Sequence, residues 1–219
     1  MSTLQFVGNL LSHKEEGGGI RHPLVVICHV PFAVVLFCLY VLATDKTAGQ
    51  TIYFAVLIGL YASSTAYHTW RPDRLLRFAD QTMISWYVLV TPMPFIHTKW
   101  WAWPLFIGLA TLTAANKWRE WEPNYQTGSL IFLLIGVLSS GLMLFAGLPN
   151  VGATGWELAY VLAVVVSSIG LFLAKLAIYH YQMRWPRFLP GVWEAPECGH
   201  FVLAMAVSIY TSLVVAYPV

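Results

Sequence analysis

Seven long apolar stretches divide this chain, and they constrain its fold more than any other feature. A helix needs roughly 20 apolar residues to cross a bilayer, and 58% of the 219 residues are hydrophobic while only 10% are charged. The stretches are 24–43, 51–67, 81–96, 101–115, 128–147, 156–178 and 200–217. This pattern predicts an all-α membrane protein, with residues 1–219 forming a single seven-transmembrane-helix bundle.

The positive charges predict the orientation of this bundle. If the N-terminal tail and the loops after the second, fourth and sixth stretches share one side, that side carries most of the 12 lysines and arginines. They are Lys14, Arg21, Arg71, Arg74, Arg77, Lys117, Arg119, Lys175, Arg184 and Arg187, against Lys46 and Lys99 on the other side. Because such residues collect in cytoplasmic loops, we expect a cytoplasmic tail at 1–23 and a C-terminus across the membrane. The net charge of +2 reflects this asymmetry and indicates no nucleic-acid partner; the oligomeric state stays open.

The few polar residues within the stretches lie toward the predicted cytoplasmic end. Tyr61, Ser64, Thr65 and His68 follow i, i+3, i+4, i+7 spacing, which places them on one face of the second helix. Asp80 is expected to open the third helix, where its carboxylate can either cap free backbone amides or serve chemistry. A membrane helix carries such groups at a cost, so their clustering predicts a functional site.

A zinc site is the chemistry that these residues favour. Glu197 and His200 lie one helical turn apart at the start of the seventh stretch. With His68 from another helix, they supply three ligands and leave a position open for water. Zinc lowers the pKa of that water to about 7. Asp80 can orient or deprotonate it, and Ser64 can hydrogen-bond Asp80, a ligand or a developing oxyanion.

Other histidines are weighed against the same site. His22 and His180 also fall at the predicted cytoplasmic side, so either is a substitute ligand. His29 lies inside the first helix, where a packed and hydrogen-bonded ring is expected. His97 falls at the opposite end, beside Lys99, and is expected at the interface.

Several motifs carry a resemblance to a known family. Residues 62–68 (ASSTAYH) contain Ser-x-x-x-His. Residues 78–80 (FAD) directly precede the third stretch and residues 91–95 (TPMPF) lie near its end, while residues 199–203 (GHFVL) lie at the start of the seventh. In these motifs the chain resembles the hemolysin III family, whose superfamily includes the progestin and adipoQ receptors and the alkaline ceramidases. The resemblance implies a seven-helix fold with a cytoplasmic N-terminus, and the family's spread implies a bacterial inner membrane.

The chain departs from the family pattern at several positions. The family's His-x-x-x-His element would place its first histidine at Pro196, which cannot bind zinc through its side chain. Glu197 is the nearest replacement, although about 100° separates adjacent helix positions. Val90 stands where the family usually has glycine, and the usual Glu and Asn before the first helix are matched only loosely.

Two classes of function follow. The resemblance to alkaline ceramidases implies a zinc-dependent hydrolase of a lipid amide or ester, with a membrane lipid as substrate. The alternative is a non-enzymatic receptor or regulator of membrane lipids, or a pore former, and Pro196 favours it if nothing else completes the site.

Overall fold

The protein is helical throughout its core. The computed structural model describes residues 22–42, 46–70, 74–119, 128–147, 149, 158, 160–166, 168–169, 187–189 and 193–216. The helices are α1 (Pro23–Leu42), α2 (Ala48–Thr69), α3 (Arg74–Val90), α4 (Met93–Ile96), α5 (Ala102–Arg119), α6 (Gly128–Leu142) and α7 (Ala195–Ala216). A π-helical turn, Met143–Gly147, extends α6, and residues 160–166 are helical. A short antiparallel ribbon of β1 (Arg187–Leu189) and β2 (Trp193–Glu194) precedes α7. The class is all-α, as predicted.

The third predicted stretch differs most from the observed helices. Instead of one helix over 81–96, α3 ends at Val90 and α4 follows, with Pro92 at its N-cap and Pro94 in its first turn. Proline has no N–H to donate within a helix, so a break here is expected. Most of the sixth predicted stretch, 156–178, and the tail before His22 lie outside the described residues.

Asp80 does not cap the third helix. Because α3 begins at Arg74, Asp80 lies nearly two turns inside it, beyond the free amides of the first turn. The expectation that Asp80 opens the third helix was wrong, and its capping alternative is thereby excluded, because hydropathy marks where a helix becomes apolar, whereas α3 already begins in the charged turn that contains Arg74 and Arg77.

Helix α2 is central to the part of the bundle that is described. Its start is a capping box: Gln50 N–H donates to Thr47 Oγ1, and Thr47 N–H donates to Gln50 Oε1, both at 3.1 Å. It packs against α1, α3 and α4, while α7 packs against α1. Two buried hydrogen bonds join α2 to α7. One lies between Tyr53 Oη and Thr211 Oγ1 at 3.0 Å, and in the other Gln50 Nε2 donates to the Val214 carbonyl at 3.3 Å.

The outer surface of several helices is apolar. Large hydrophobic side chains are exposed on α1, α5, α6 and α7; they include Ile27, Val34, Val35, Phe37, Leu42, Ile107, Leu112, Val137, Phe201 and Met205. Within the described residues, α1 is the one helix both long and apolar enough to cross a membrane; shorter apolar runs are Leu134–Ala146 and Leu203–Ser212.

Candidate functional site

Four histidine rings form a chain of edge contacts inside the bundle. The ring centroids lie 5.0 Å apart for His22 and His68, 4.6 Å for His68 and His200, and 4.8 Å for His200 and His29. All four side chains are buried. These residues, His22, His29, His68 and His200, are called the histidine cluster below.

The four rings come from three helices, α1, α2 and α7. His68 lies in the last turn of α2, and the His22 N–H donates to its carbonyl at 3.1 Å, which ties the start of α1 to the end of α2. His22 and His29 are seven residues apart, close to two helical turns, so they share one side of α1. His200 comes from the second turn of α7. Because α7 packs on α1, its ring reaches both His68 and His29.

Ser64 and Tyr61 lie on the same face of α2 as His68. Ser64 is 1% exposed and lies one turn before His68, on the face that the spacing predicted. Tyr61 lies a further turn away, and its ring meets that of His29 with a centroid distance of 5.2 Å. Among the described residues, Ser64 Oγ and Tyr61 Oη have no hydrogen-bond partner. Both hydroxyls are therefore available to a bound molecule.

Asp80 is a buried carboxylate on α3. It is 2% exposed, and its Oδ2 accepts a hydrogen bond from Gln81 Nε2 at 3.3 Å. Helix α3 packs directly against α2, the helix that carries Ser64 and His68. A carboxylate at this depth in a bundle is costly unless it is paired or used.

The remaining candidate ligands divide between the described and undescribed parts of the chain. The backbone of Glu197 lies in the first turn of α7, but its side chain is outside the described residues, as is all of His180. His97 is half-buried beyond α4, where its Nδ1 lies 3.3 Å from the Pro94 carbonyl and Trp103 Nε1 donates to its carbonyl at 3.0 Å. It takes no part in the ring contacts of the histidine cluster.

The ring spacings suit a shared metal ion. Zinc–nitrogen bonds are about 2 Å long, so two imidazoles on one tetrahedral zinc have centroids roughly 5 Å apart. The 4.6 and 4.8 Å separations around His200 are close to this value. As the side chains stand, however, no three His, Cys, Asp or Glu residues in the described ranges are grouped as ligands. The described side chains alone therefore do not form a three-ligand site as they stand.

The place of His29 beside this site was not predicted from the sequence. His29 was expected to be a packed, hydrogen-bonded residue, yet its Nδ1 has no hydrogen-bond partner within the described parts of the chain. One signal was present: the seven-residue spacing of His22 and His29 matches that of Tyr61 and His68 on α2. Equal spacing on two antiparallel neighbours brings the two pairs into register, His22 with His68 and His29 with Tyr61.

No protein-family model matches the chain, and no curated protein is significantly similar to it.

Proposed function

We propose that this chain is a seven-helix integral membrane protein, N-terminus in the cytoplasm, that hydrolyses an amide or ester bond of a membrane lipid with the help of zinc. The observation that carries the proposal is the 4.6 Å approach of the His68 and His200 rings, buried between helices. The hemolysin III-like motifs of the sequence supply the class of reaction.

The distribution of polar and apolar groups supports a membrane environment. Polar side chains such as Ser64, Asp80 and Thr211 are buried, whereas large apolar side chains cover the outside of α1, α5, α6 and α7. Large exposed apolar surfaces mark a binding partner or a lipid environment. Lipid is the partner that covers several helices at once. The ten positive residues on the proposed cytoplasmic side are consistent with a bacterial inner membrane.

His68 and His200 are residues of a type that binds zinc. Neutral imidazole is a common zinc ligand, and carboxylate oxygen is another. His68 and His200 would hold the metal, with the third position supplied either by Glu197 or by another ring of the histidine cluster. When bound, zinc polarises a substrate carbonyl and makes water a nucleophile at neutral pH.

The chain's other residues would move the protons of this reaction. Asp80 takes a proton from water as the water oxygen attacks the carbonyl carbon, and then returns it to the departing amine or alkoxide. Ser64 donates a hydrogen bond from Oγ to the oxygen that becomes negative in the transition state. The buried state of both residues keeps bulk water away from this step.

A groove beside the histidine cluster supports a lipid as the substrate. A cavity of about 310 Å³ lies between α1 and α7, lined by Cys28, Phe32, Phe201, Ala204 and Met205 among others. Cys28 directly precedes His29 and Phe201 directly follows His200, so the groove begins beside the cluster. It opens where Phe201 and Met205 are about half exposed. An acyl chain entering sideways from the bilayer matches this apolar lining.

Hydrolysis is tested with full-length protein in lipid nanodiscs that contain zinc. A panel of ceramides, N-acyl lipids and ester lipids is supplied, and release of free fatty acid is measured by mass spectrometry. We expect release from at least one lipid, lost in His68→Ala and in Asp80→Asn. Absence of release across the panel by zinc-loaded wild-type protein would contradict the hydrolase.

A second candidate is a receptor or regulator of membrane lipids, or a pore former, that needs no metal. Pro196 favours it, because proline occupies the position of a family ligand. Ion leakage from vesicles containing the protein distinguishes the pore, and lipid binding without turnover distinguishes the receptor.

A further inference from the structure

The ring of Tyr61 contacts both the histidine cluster and the wall of the groove. It meets the His29 ring edge to face at a centroid distance of 5.2 Å, and it stacks on the Phe32 ring at 6.3 Å with an interplanar angle of 7°. His29 belongs to the histidine cluster, whereas Phe32 lines the cavity between α1 and α7. Tyr61 therefore connects α2 with both features.

The hydroxyl of Tyr61 is buried without a hydrogen bond. The side chain is 3% exposed, and Oη has no hydrogen-bond partner among the residues that the structure describes. This hydroxyl interacts electrostatically with the thiol of Cys28, which also lines the groove. A buried hydroxyl is costly when it is left unbonded, and such groups are normally satisfied. A hydrogen-bond acceptor is therefore expected where Tyr61 meets the groove.

We propose that Tyr61 binds the lipid, its hydroxyl donating a hydrogen bond to an acceptor oxygen at the polar end of an acyl chain in the groove. This inference rests on the lipid groove of the proposed function and names a residue that binds the substrate. Phe32, Phe201 and Met205 give the groove an apolar wall, which holds a chain without fixing its depth. A polar group beside the cluster fixes that depth, because a misplaced oxygen leaves the Tyr61 hydroxyl unbonded.

Two other hydroxyls are less suited to this role. Ser208 also lines the groove, but its Oγ donates to the Ala204 carbonyl at 2.8 Å, a bond within α7. Tyr87 is fully buried on α3, where its ring contacts that of Tyr53 at 6.0 Å, and it does not line the groove. Tyr87 is therefore a control for Tyr61.

A matched pair of ligands tests the role of Tyr61 without requiring hydrolysis. Dodecan-2-one has one carbonyl oxygen and no amide or ester bond, and dodecane has a chain of equal length without the oxygen. Each competes with an alkyl diazirine probe for crosslinking to the groove of the full-length protein in nanodiscs, measured by mass spectrometry. We expect Tyr61→Phe to bind the ketone about threefold to tenfold more weakly than wild-type protein, as loss of one hydrogen bond predicts, and to bind dodecane equally well.

The control variant and thermal unfolding separate binding from a structural role. Tyr87→Phe should bind both ligands as wild-type protein does. Without added ligand, Tyr61→Phe should unfold at the wild-type temperature or above, because its hydroxyl has no hydrogen bond to lose. A lower unfolding temperature for Tyr61→Phe, or equal losses of ketone and dodecane binding, would overturn the inference.

The same measurement distinguishes failure of the inference from failure of the proposed function. Unchanged ketone binding in Tyr61→Phe, together with fatty acid release by wild-type protein, would overturn the inference alone. Ketone binding that depends on Tyr61, with no release from any lipid in the panel, would support the inference and overturn the hydrolase. No crosslinking of the probe to the groove in wild-type protein would overturn the inference together with the groove on which it rests.

Discussion

At the scale of single residues, the hydroxyls of the adjacent residues Ser63 and Ser64 on α2 have different surroundings. Ser63 is half-buried and its Oγ donates to the Leu60 carbonyl at 3.1 Å, a bond within α2. Ser64 is buried beside His68, with no hydrogen-bond partner for Oγ in the described residues. Adjacent serines therefore offer a matched pair for mutation.

We predict that Ser64→Ala lowers the rate constant of lipid hydrolysis by about 10²-fold, the usual effect of removing one donor to a developing oxyanion. Zinc content should stay unchanged because Ser64 is not a ligand. Ser63→Ala is the control and should hydrolyse lipid at the wild-type rate. Equal rates in both variants would remove Ser64 from the mechanism.

Sequence spacing predicted some of the site residues and missed others for definite reasons. The period of the α-helix predicted that Ser64 and His68 share one face, because both lie within one uninterrupted helix. The contact between the His29 and His200 rings depends on how α7 packs against α1. The spacing of residues within either helix does not predict that packing. Asp80 was placed at a helix start because the apolar stretch, not the helix, begins there.

At the scale of helices, one glycine determines how closely α2 approaches α4. A Cβ on Gly49 would collide with the backbone carbonyl of Met93 and would lie 2.8 Å from His97 Nδ1. Backbone cannot give way as a flexible side chain can. On α5, by contrast, a Cβ on Gly108 would have nothing within 4 Å.

We predict that Gly49→Ala destabilises the folded protein by about 1–3 kcal/mol, the usual cost of overpacking. Gly108→Ala should be neutral or stabilising by a few tenths of a kcal/mol to about 1 kcal/mol, since alanine favours helix. Thermal unfolding of both variants in the same detergent measures the difference. A Gly49→Ala protein as stable as Gly108→Ala would show that α2 and α4 are not in such close contact.

Helix positions were more predictable than helix ends. The first stretch, 24–43, agrees with α1 at Pro23–Leu42 to within one residue at each end, because its apolar residues and its helix coincide. In α2 the capping box at Thr47 starts the helix before the apolar run at 51, and in α3 the charged turn does the same. The break at Pro92 and the π-helical turn at Met143–Gly147 depend on local backbone geometry that hydropathy does not record.

At the scale of the whole molecule, the sequence predicted the all-α class, which the helices confirm. The seven-span arrangement stays a prediction. Among the described residues, α1 is the one helix that is both long enough and apolar enough to cross a membrane. Other helices, such as α2 and α3, are less apolar because they carry the buried polar groups of the site. Buried polar residues thus weaken the signal by which membrane spans are recognised.

We predict that the C-terminus lies outside the cytoplasm, because the seven predicted spans are an odd number and the N-terminal tail is predicted to be cytoplasmic. A C-terminal alkaline phosphatase fusion, which is active only outside the cytoplasm, should be active in intact cells. The same reporter fused to the N-terminus is the control and should be inactive. An active N-terminal fusion with an inactive C-terminal one would reverse the topology that the ten-to-two charge asymmetry predicts.

The metal content of the purified protein tests the central claim most directly. Full-length wild-type protein, His68→Ala, His200→Ala and the control His97→Ala are exposed to zinc, freed of loosely bound ions, and measured by mass spectrometry. We predict about one zinc ion per chain in wild-type and His97→Ala protein, and below about a tenth of that in the other two. Wild-type protein without zinc, or equal zinc in all four, would contradict a metal centre between His68 and His200.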